Sequence, residues 1–139
     1  MPAGWEPAVA FERSFDGLYG LRVLSEDVAG AGVVRGAFDV GPDLLTEHGD
    51  LHGGVYAGAA EALASRGTAL IVMPDGNAAM GLSNDTSVLA SPAAGTVELE
   101  AHALSRGEQA WLWTVDARDG EGRLCAHSRV TVAVRPISG

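Results

Sequence analysis

Two groups of residues near the middle of this chain have the types and spacing that carbonyl chemistry requires. His52-Gly53-Gly54 precedes a run of small apolar residues, and Glu61 follows the histidine by nine positions. The first backbone N–H groups of a helix have no intrahelical partner and stand at the positive end of its dipole. Glycines there let a ligand approach the backbone closely, so the segment suits a carbonyl oxygen that gains negative charge. The competing reading is an ordinary glycine turn beside a solvated histidine. Glu61 is the only carboxylate from Gly53 to Met73, and Ala57, Gly58, Ala59, Ala60, Ala62 and Ala64 surround it in sequence. Burial among these residues is expected, which suits a general base or a nucleophile. Its competing reading is a surface glutamate at a gap in the helix's burial. Ser65, four positions on, shares its helix face and is placed to orient the carboxylate or a water.

The spacing between the two groups sets a condition. Nine helical steps amount to about half a turn net and a rise of about 13 Å. Within one chain His52 and Glu61 point apart and cannot reach one substrate atom. If both act, a second copy must supply one of them, and two antiparallel helices about a two-fold axis would do so. A composite site, two per dimer, is therefore expected.

The elements that must position these groups follow from periodicity. A short amphipathic helix is expected over Val9–Leu18, with Val9, Phe11, Phe15 and Leu18 as its apolar side. Strands are expected near Leu21–Val28 and Val33–Val40. A long helix over Gly54–Met73, ended by Pro74-Asp75-Gly76, reads as apolar nearly all round and so as wrapped by other elements. Four strands follow: Ala79–Leu89, Thr96–Leu104, Gln109–Asp116 and Arg123–Val134. Trp111, Trp113 and Val115 share one face of the third, and Asp119-Gly120 marks the last hairpin. Two strands, one helix and four antiparallel strands make an α+β domain, a curved sheet wrapped around a helix. At 139 residues, with no linker or repeat, the chain reads as one domain over residues 1–139.

Composition narrows the function. The formal charge is −9 and the pI about 4.7, which argues against a nucleic-acid surface. All 9 basic residues are arginine, the better fork for phosphate oxygens. One cysteine, Cys125, and no apolar leader among the first residues point to a cytoplasmic protein. The stretch Gly53–Met73 is too polar to span a membrane, Glu61, Arg66 and Thr68 interrupting it. Glu47, His48, Asp50 and His52 have no matching cluster elsewhere, so no metal is expected, and no other cofactor. Gly30-Ala31-Gly32 with Gly36 misses the dinucleotide-binding spacing, and there is no serine-nucleophile elbow or phosphate-loop lysine. Arg106, in the turn Ser105-Arg106-Gly107, is either a phosphate contact or a solvated turn residue. His102 and His127 fall in strands and read as structural.

The run Gly49-Asp50-Leu51-His52-Gly53-Gly54-Val55, with Glu61 nine residues past the histidine, resembles the hotdog-fold acyl-CoA thioesterases. It is most similar to the branch of 1,4-dihydroxy-2-naphthoyl-CoA and Arthrobacter-type 4-hydroxybenzoyl-CoA thioesterases. The resemblance runs from about Leu44 to Pro136 and includes Met80-Gly81-Leu82, Gly122-Arg123-Leu124-Cys125 and Ser128-Arg129-Val130-Thr131. It implies hydrolysis of an acyl-CoA, with an aromatic or medium-sized acyl group. Glu61 would be nucleophile or general base, the Gly53 amide would polarise the carbonyl, and His52 would orient it or the leaving sulfur. Ser65 stands where relatives hold a threonine or serine near the catalytic water. Gly54, Gly81, Leu82 and Ser87 would line the substrate, and Ser105, Arg106 and Arg129 would face the coenzyme A nucleotide. Homodimers assembled into homotetramers are implied. Six residues before the histidine, where relatives usually carry glutamine or asparagine, this chain has Thr46, a shorter side chain with one donor. A hotdog dimer that binds acyl-CoA without cleaving it is the alternative.

Overall fold

Alternation of apolar and polar residues builds one six-stranded antiparallel sheet around a single long helix, and the computed structural model describes residues 6–137 of it. The strands are β1 (Arg22–Asp27), β2 (Val33–Asp39), β3 (Asn77–Val88), β4 (Thr96–Arg106), β5 (Ala110–Arg118) and β6 (Leu124–Pro136). The helices are α1 (Phe15–Leu18) and α2 (Gly53–Val72). The sheet order is β1-β2-β4-β5-β6-β3. The chain therefore leaves β2, crosses the sheet through α2 and lays β3 on the far edge; the β4–β5–β6 meander then fills the space between. The α+β hotdog architecture expected above is the observed one.

Helix and sheet approach closely because glycine stands where they meet. A Cβ on Gly36 of β2 would come 2.9 Å from Leu63 Cδ2, and one on Gly67 of α2 would come 2.5 Å from the Trp113 ring. Phe38, Leu63, Val97, Trp113, Val115, Val130 and Val132 form the dry centre between the two layers. One polar device in it is local. The Trp113 indole N–H donates to Thr68 Oγ1 at 2.9 Å, and the Thr68 hydroxyl donates to the Ala64 carbonyl at 2.9 Å. Both side chains are fully buried. Thr68→Val keeps the shape but orphans the indole N–H, so it is expected to cost about 1–3 kcal/mol. Urea unfolding at unchanged m-value measures this cost.

Two expectations need correction. The amphipathic helix over Val9–Leu18 is instead a 3-10 turn, Phe11–Arg13, and the short α1, separated by extended Ser14. Ser14 Oγ donates to the Phe11 carbonyl at 2.6 Å and accepts from the Gly17 N–H at 3.2 Å, so it closes one turn and caps the next. Val9, Phe11, Phe15 and Leu18 are more than half exposed and do not form a buried side. Nor is α2 wrapped all round. Tyr56, Ala59, Ala60, Leu63, Ala64, Gly67, Thr68 and Val72 are its buried residues. On the opposite side Gly54 and Glu61 are exposed, and Gly58, Ala62, Ser65 and Ala69 are only partly buried in the single chain. Among the described residues no helix is long and apolar enough to cross a membrane.

Candidate active site

The start of α2 is set by the loop before it. Thr46 N–H donates to the Asp50 carbonyl at 2.7 Å, and its hydroxyl donates to Asp50 Oδ1 at 2.6 Å. Gly49 turns the loop with φ +88°, a value glycine adopts without strain. The His52 N–H then bonds the Leu44 carbonyl at 2.9 Å, and His52 becomes the N-cap of α2. Its ring folds back so that Nδ1 accepts from the Gly54 N–H at 2.9 Å. A Cβ on Gly54 would stand 2.9 Å from that nitrogen, so the glycine permits the fold-back. An accepting Nδ1 puts the proton of the neutral ring on Nε2, which leaves His52 with an outward-facing donor. Among the described residues no acceptor meets the Gly53 N–H. It is a free donor at the positive end of a 20-residue helix.

Glu61 lies two and a half turns further along. Its carboxyl is not buried, contrary to expectation: in the single chain Glu61 is exposed. It does not hang in open solvent either. It lies over Gly81 of β3, and a Cβ at Gly81 would overlap Glu61 Oε1 and come 2.8 Å from Cδ. The register of β3 against β6 slips between Gly81 and Ser83, a bulge beside the carboxylate. Past it, Asn84 Nδ2 donates to the Ala57 carbonyl at 2.9 Å, the carbonyl one turn before Glu61. Thr86 Oγ1 lies 2.7 Å from Asn84 Oδ1 and 2.7 Å from the Oγ of buried Ser128. Thr86 has one hydroxyl proton and donates it to Asn84, so Ser128 donates to Thr86. This directed chain fixes β3 to the helix turn that carries Glu61. Sequence reading missed Asn84, whose place is visible only once the bulge resets the strand's alternation.

The other candidates are distributed as follows. Ser65 is half-buried one turn past Glu61 on the same side of α2. Leu82 sits at the bulge and is 64% exposed. Ser87 pairs with His127 and Arg129 with Asp85, positions that alternate with buried Ser128 and Val130. Both therefore face away from α2 and are not brought to Glu61 within the chain. Ser105 is exposed near the end of β4. Arg106 is already engaged: Nη2 donates to the Val28 carbonyl at 2.5 Å, and the guanidinium lies 5.4 Å from the centre of the Trp111 ring. It ties the end of β4 to the β1–β2 turn, so its freedom to meet a phosphate is reduced. Arg129 has no ion-pair partner among the described residues.

On the outer face, His102 bonds Glu100 at 2.5 Å, Arg35 bonds Glu100 at 2.8 Å, and His127 bonds Asp116 at 2.6 Å. Partial burial works against the charge on Glu100. Its hydrogen bonds from His102 and Arg35 outweigh that and hold the carboxyl below its ordinary range. The two histidines serve this surface network, as expected of strand residues. Among the described residues no three histidine, cysteine or acidic side chains converge as a metal site would need.

This arrangement has known relatives. The profile of the thioesterase superfamily matches residues 48–126. A 1,4-dihydroxy-2-naphthoyl-CoA hydrolase of Listeria monocytogenes is 34% identical over 116 residues, 84% of this chain and 91% of that one. A Mycobacterium tuberculosis protein with the provisional name of an esterase is 34% identical over 118 residues, 84% of this chain and 82% of its own. The solved structure of that esterase superposes with a TM-score of 0.83 at 30% identity, over 90% of this chain and 98% of the other. A Haemophilus influenzae thioesterase shares the fold, with a TM-score of 0.83 at 24% identity over 97% and 96% of the two chains. The chain belongs to the thioesterase superfamily, and thioester hydrolysis is the chemistry its relatives point to.

Proposed function

We propose that the protein hydrolyses an acyl-CoA thioester with an aromatic or medium-sized acyl group, releasing the free acid and coenzyme A. The working unit is a homodimer, and a dimer of dimers extends it. One observation carries the reading: a free helix-start amide and an exposed carboxylate share α2 but lie about 12 Å apart along its axis. Two antiparallel copies of α2 remove that separation. The side of α2 that would face the partner is built of small residues, and β3 beside it is an edge strand whose outer hydrogen-bonding groups are unpaired among the described residues. Pairing β3 with its copy about a two-fold axis extends the sheet and brings the two helices side by side.

In that dimer the thioester carbonyl points at Gly53 N–H of one protomer. The outward Nε2–H of His52 stands beside it, toward the carbonyl or the leaving sulfur. Glu61 of the other protomer faces the carbonyl carbon. As general base it takes a proton from water as the water attacks; as nucleophile it forms an anhydride that water then opens. On either route the carbonyl oxygen turns into an oxyanion at a fixed amide dipole, where pre-aimed donors are most effective. The C–S bond breaks, and the thiolate takes up the proton released by water. Burial by the partner would supply the dry surroundings that Glu61 lacks in the single chain. The hydrolase name of the 34% identical Listeria relative supports coenzyme A as the carrier.

A thiol-release screen across benzoyl-, phenylacetyl- and straight-chain CoA esters tests this reading. Turnover of at least one aryl or medium-chain ester is expected, and none with any ester would sink it. A second reading, acyl-CoA binding without cleavage, draws on Thr46. Its hydroxyl proton is spent on Asp50 inside its own loop, so that position offers no free side-chain donor to a thioester. Saturable binding by calorimetry with no thiol released would select it.

A further inference from the structure

Three contacts tie β3 to α2. Glu61 lies over Gly81, the Asn84 amide donates to the Ala57 carbonyl at 2.9 Å, and a Cβ on Gly53 would stand 2.9 Å from Val88 Cγ2. The edge strand thus runs antiparallel to the helix, with Gly81 beside the carboxylate and Val88 beside the free amide. We propose that β3 pairs with its copy in one register, with Asp85 opposite its own copy on the two-fold axis and Gly81 opposite Val88 of the partner subunit. This placement of the second copy rests on the hydrolase reading above, which needs Glu61 to meet Gly53 of the partner subunit.

The register follows from the bulge. Gly81 stands opposite Val132 of β6, Asp85 opposite Arg129 and Val88 opposite Ala126. Counted along β6, Asp85 is therefore three residues from each of the other two. Leu82 is the extra residue that the bulge removes from this count. A two-fold axis at Asp85 then sets Gly81 against Val88 of the partner subunit. Directly opposed residues of an antiparallel pair have Cα atoms about 4.5–5.5 Å apart. Glu61 and the partner subunit's Gly53 each pack on one member of that pair, so they come to one place. The helix gives the same axis. Ala57 is midway between Gly53 and Glu61, and its carbonyl is held by Asn84, the neighbour of Asp85.

Adjacent registers fail on geometry. A slip of one residue turns the partner's side chains, and its α2 with them, to the other face of the sheet. A slip of two moves the partner by about 7 Å along the strand, more than a hydrogen bond can span. Charge favours the same axis. Asp85 is the only charged side chain of β3, and like Arg129 opposite it faces away from α2. Two opposed carboxylates repel. Here each has Arg129 on its other side, and Arg129 has no ion-pair partner among the described residues. Across the axis the row reads Arg129, Asp85, Asp85, Arg129, with no net charge.

Single cysteines read the register, because opposed Cα atoms lie within the span of a disulfide, about 4.4–6.8 Å. Asp85→Cys, mildly oxidised in dilute solution, is expected to shift to twice the chain mass on a non-reducing gel. Ser83 and Ser87, opposite Thr131 and His127, lie two residues either side of the axis and so oppose each other across it. Ser83→Cys or Ser87→Cys alone therefore stays at single mass, and the two together in one chain cross-link. The native cysteine, Cys125, is fully buried, and the wild-type chain serves as the blank. The locked Asp85→Cys dimer is expected to hydrolyse phenylacetyl- or benzoyl-CoA as fast as its reduced form, read from the loss of thioester absorbance. Cross-linking of Ser83→Cys or Ser87→Cys alone, none in Asp85→Cys, or a locked dimer active only after reduction overturns the register. The hydrolase reading fails separately. Cross-links in the expected pattern with no ester cleaved by any chain keep the register and remove the hydrolase; turnover without them does the reverse.

Discussion

Glu61→Ala is expected to lower kcat by about 10²-fold or more while leaving KM and the fold nearly unchanged. General-base and nucleophile deletions have effects of this order. Structure explains why the loss should be so clean. Glu61 is exposed in the single chain and contributes nothing to the dry core between α2 and the sheet, so its removal leaves no cavity. Thiol release at saturating ester, read beside the circular dichroism spectrum, measures both halves of the expectation. A variant that turns over within a few-fold of the wild-type chain would remove Glu61 from the mechanism. Glu61→Gln sharpens the result, because it keeps shape and hydrogen bonding but cannot take a proton or attack carbon.

Gly81→Ala should come close to that loss without touching the carboxylate's identity. A methyl group at position 81 occupies the space where Glu61 Oε1 rests. The obstructed atoms are the far end of a flexible side chain, so the carboxylate moves and the strand stays. Displacement of a reacting group by about 1 Å costs on the order of 10²-fold in rate. A fall in kcat of about 10–10²-fold is therefore expected, with a thermal midpoint close to that of the wild-type chain. Gly67→Ala is the control. There the overlap is with the Trp113 ring and Val34 in the core, so stability falls, by about 1–3 kcal/mol, and activity follows only through unfolding. A Gly81→Ala enzyme with full activity would show that Glu61 works from another position.

Elements with a strong local period were legible in the chain. The strand carrying Trp111, Trp113 and Val115 shows its buried face in every second residue, and α2 announces itself by length and by the Pro74 that ends it. The glycines after His52 and the isolated Glu61 fall at the start and in the middle of that helix, as their spacing predicts. What stayed hidden depends on contacts that periodicity does not record. A period-2 pattern cannot say which strand lies at the sheet's edge, so the exposure of Met80, Leu82 and Val88 on β3 was not foreseen. The slip at Leu82 shifts the alternation in mid-strand, and with it the roles of Asn84 and Ser87. Phe11, Phe15 and Leu18 have helical spacing, but Ser14 satisfies its neighbours' backbone groups locally and splits the segment. No local pattern shows that Arg106 is engaged, because its partner, the Val28 carbonyl, lies 78 residues away. Small sequence neighbours suggest burial for Glu61, although residues of the same size also line an exposed helix side.

The twelve residues of β3 carry a single charged side chain, Asp85, and no proline. Natural sheets usually guard an open border with lysine, proline or a very short strand, because unpaired amides will template any extended peptide. This border has no such guard beyond its one bulge. If β3 pairs with its copy as proposed, chain that has not yet paired is the aggregation-prone species, and dilution or slow expression should decide how much of the protein stays in solution.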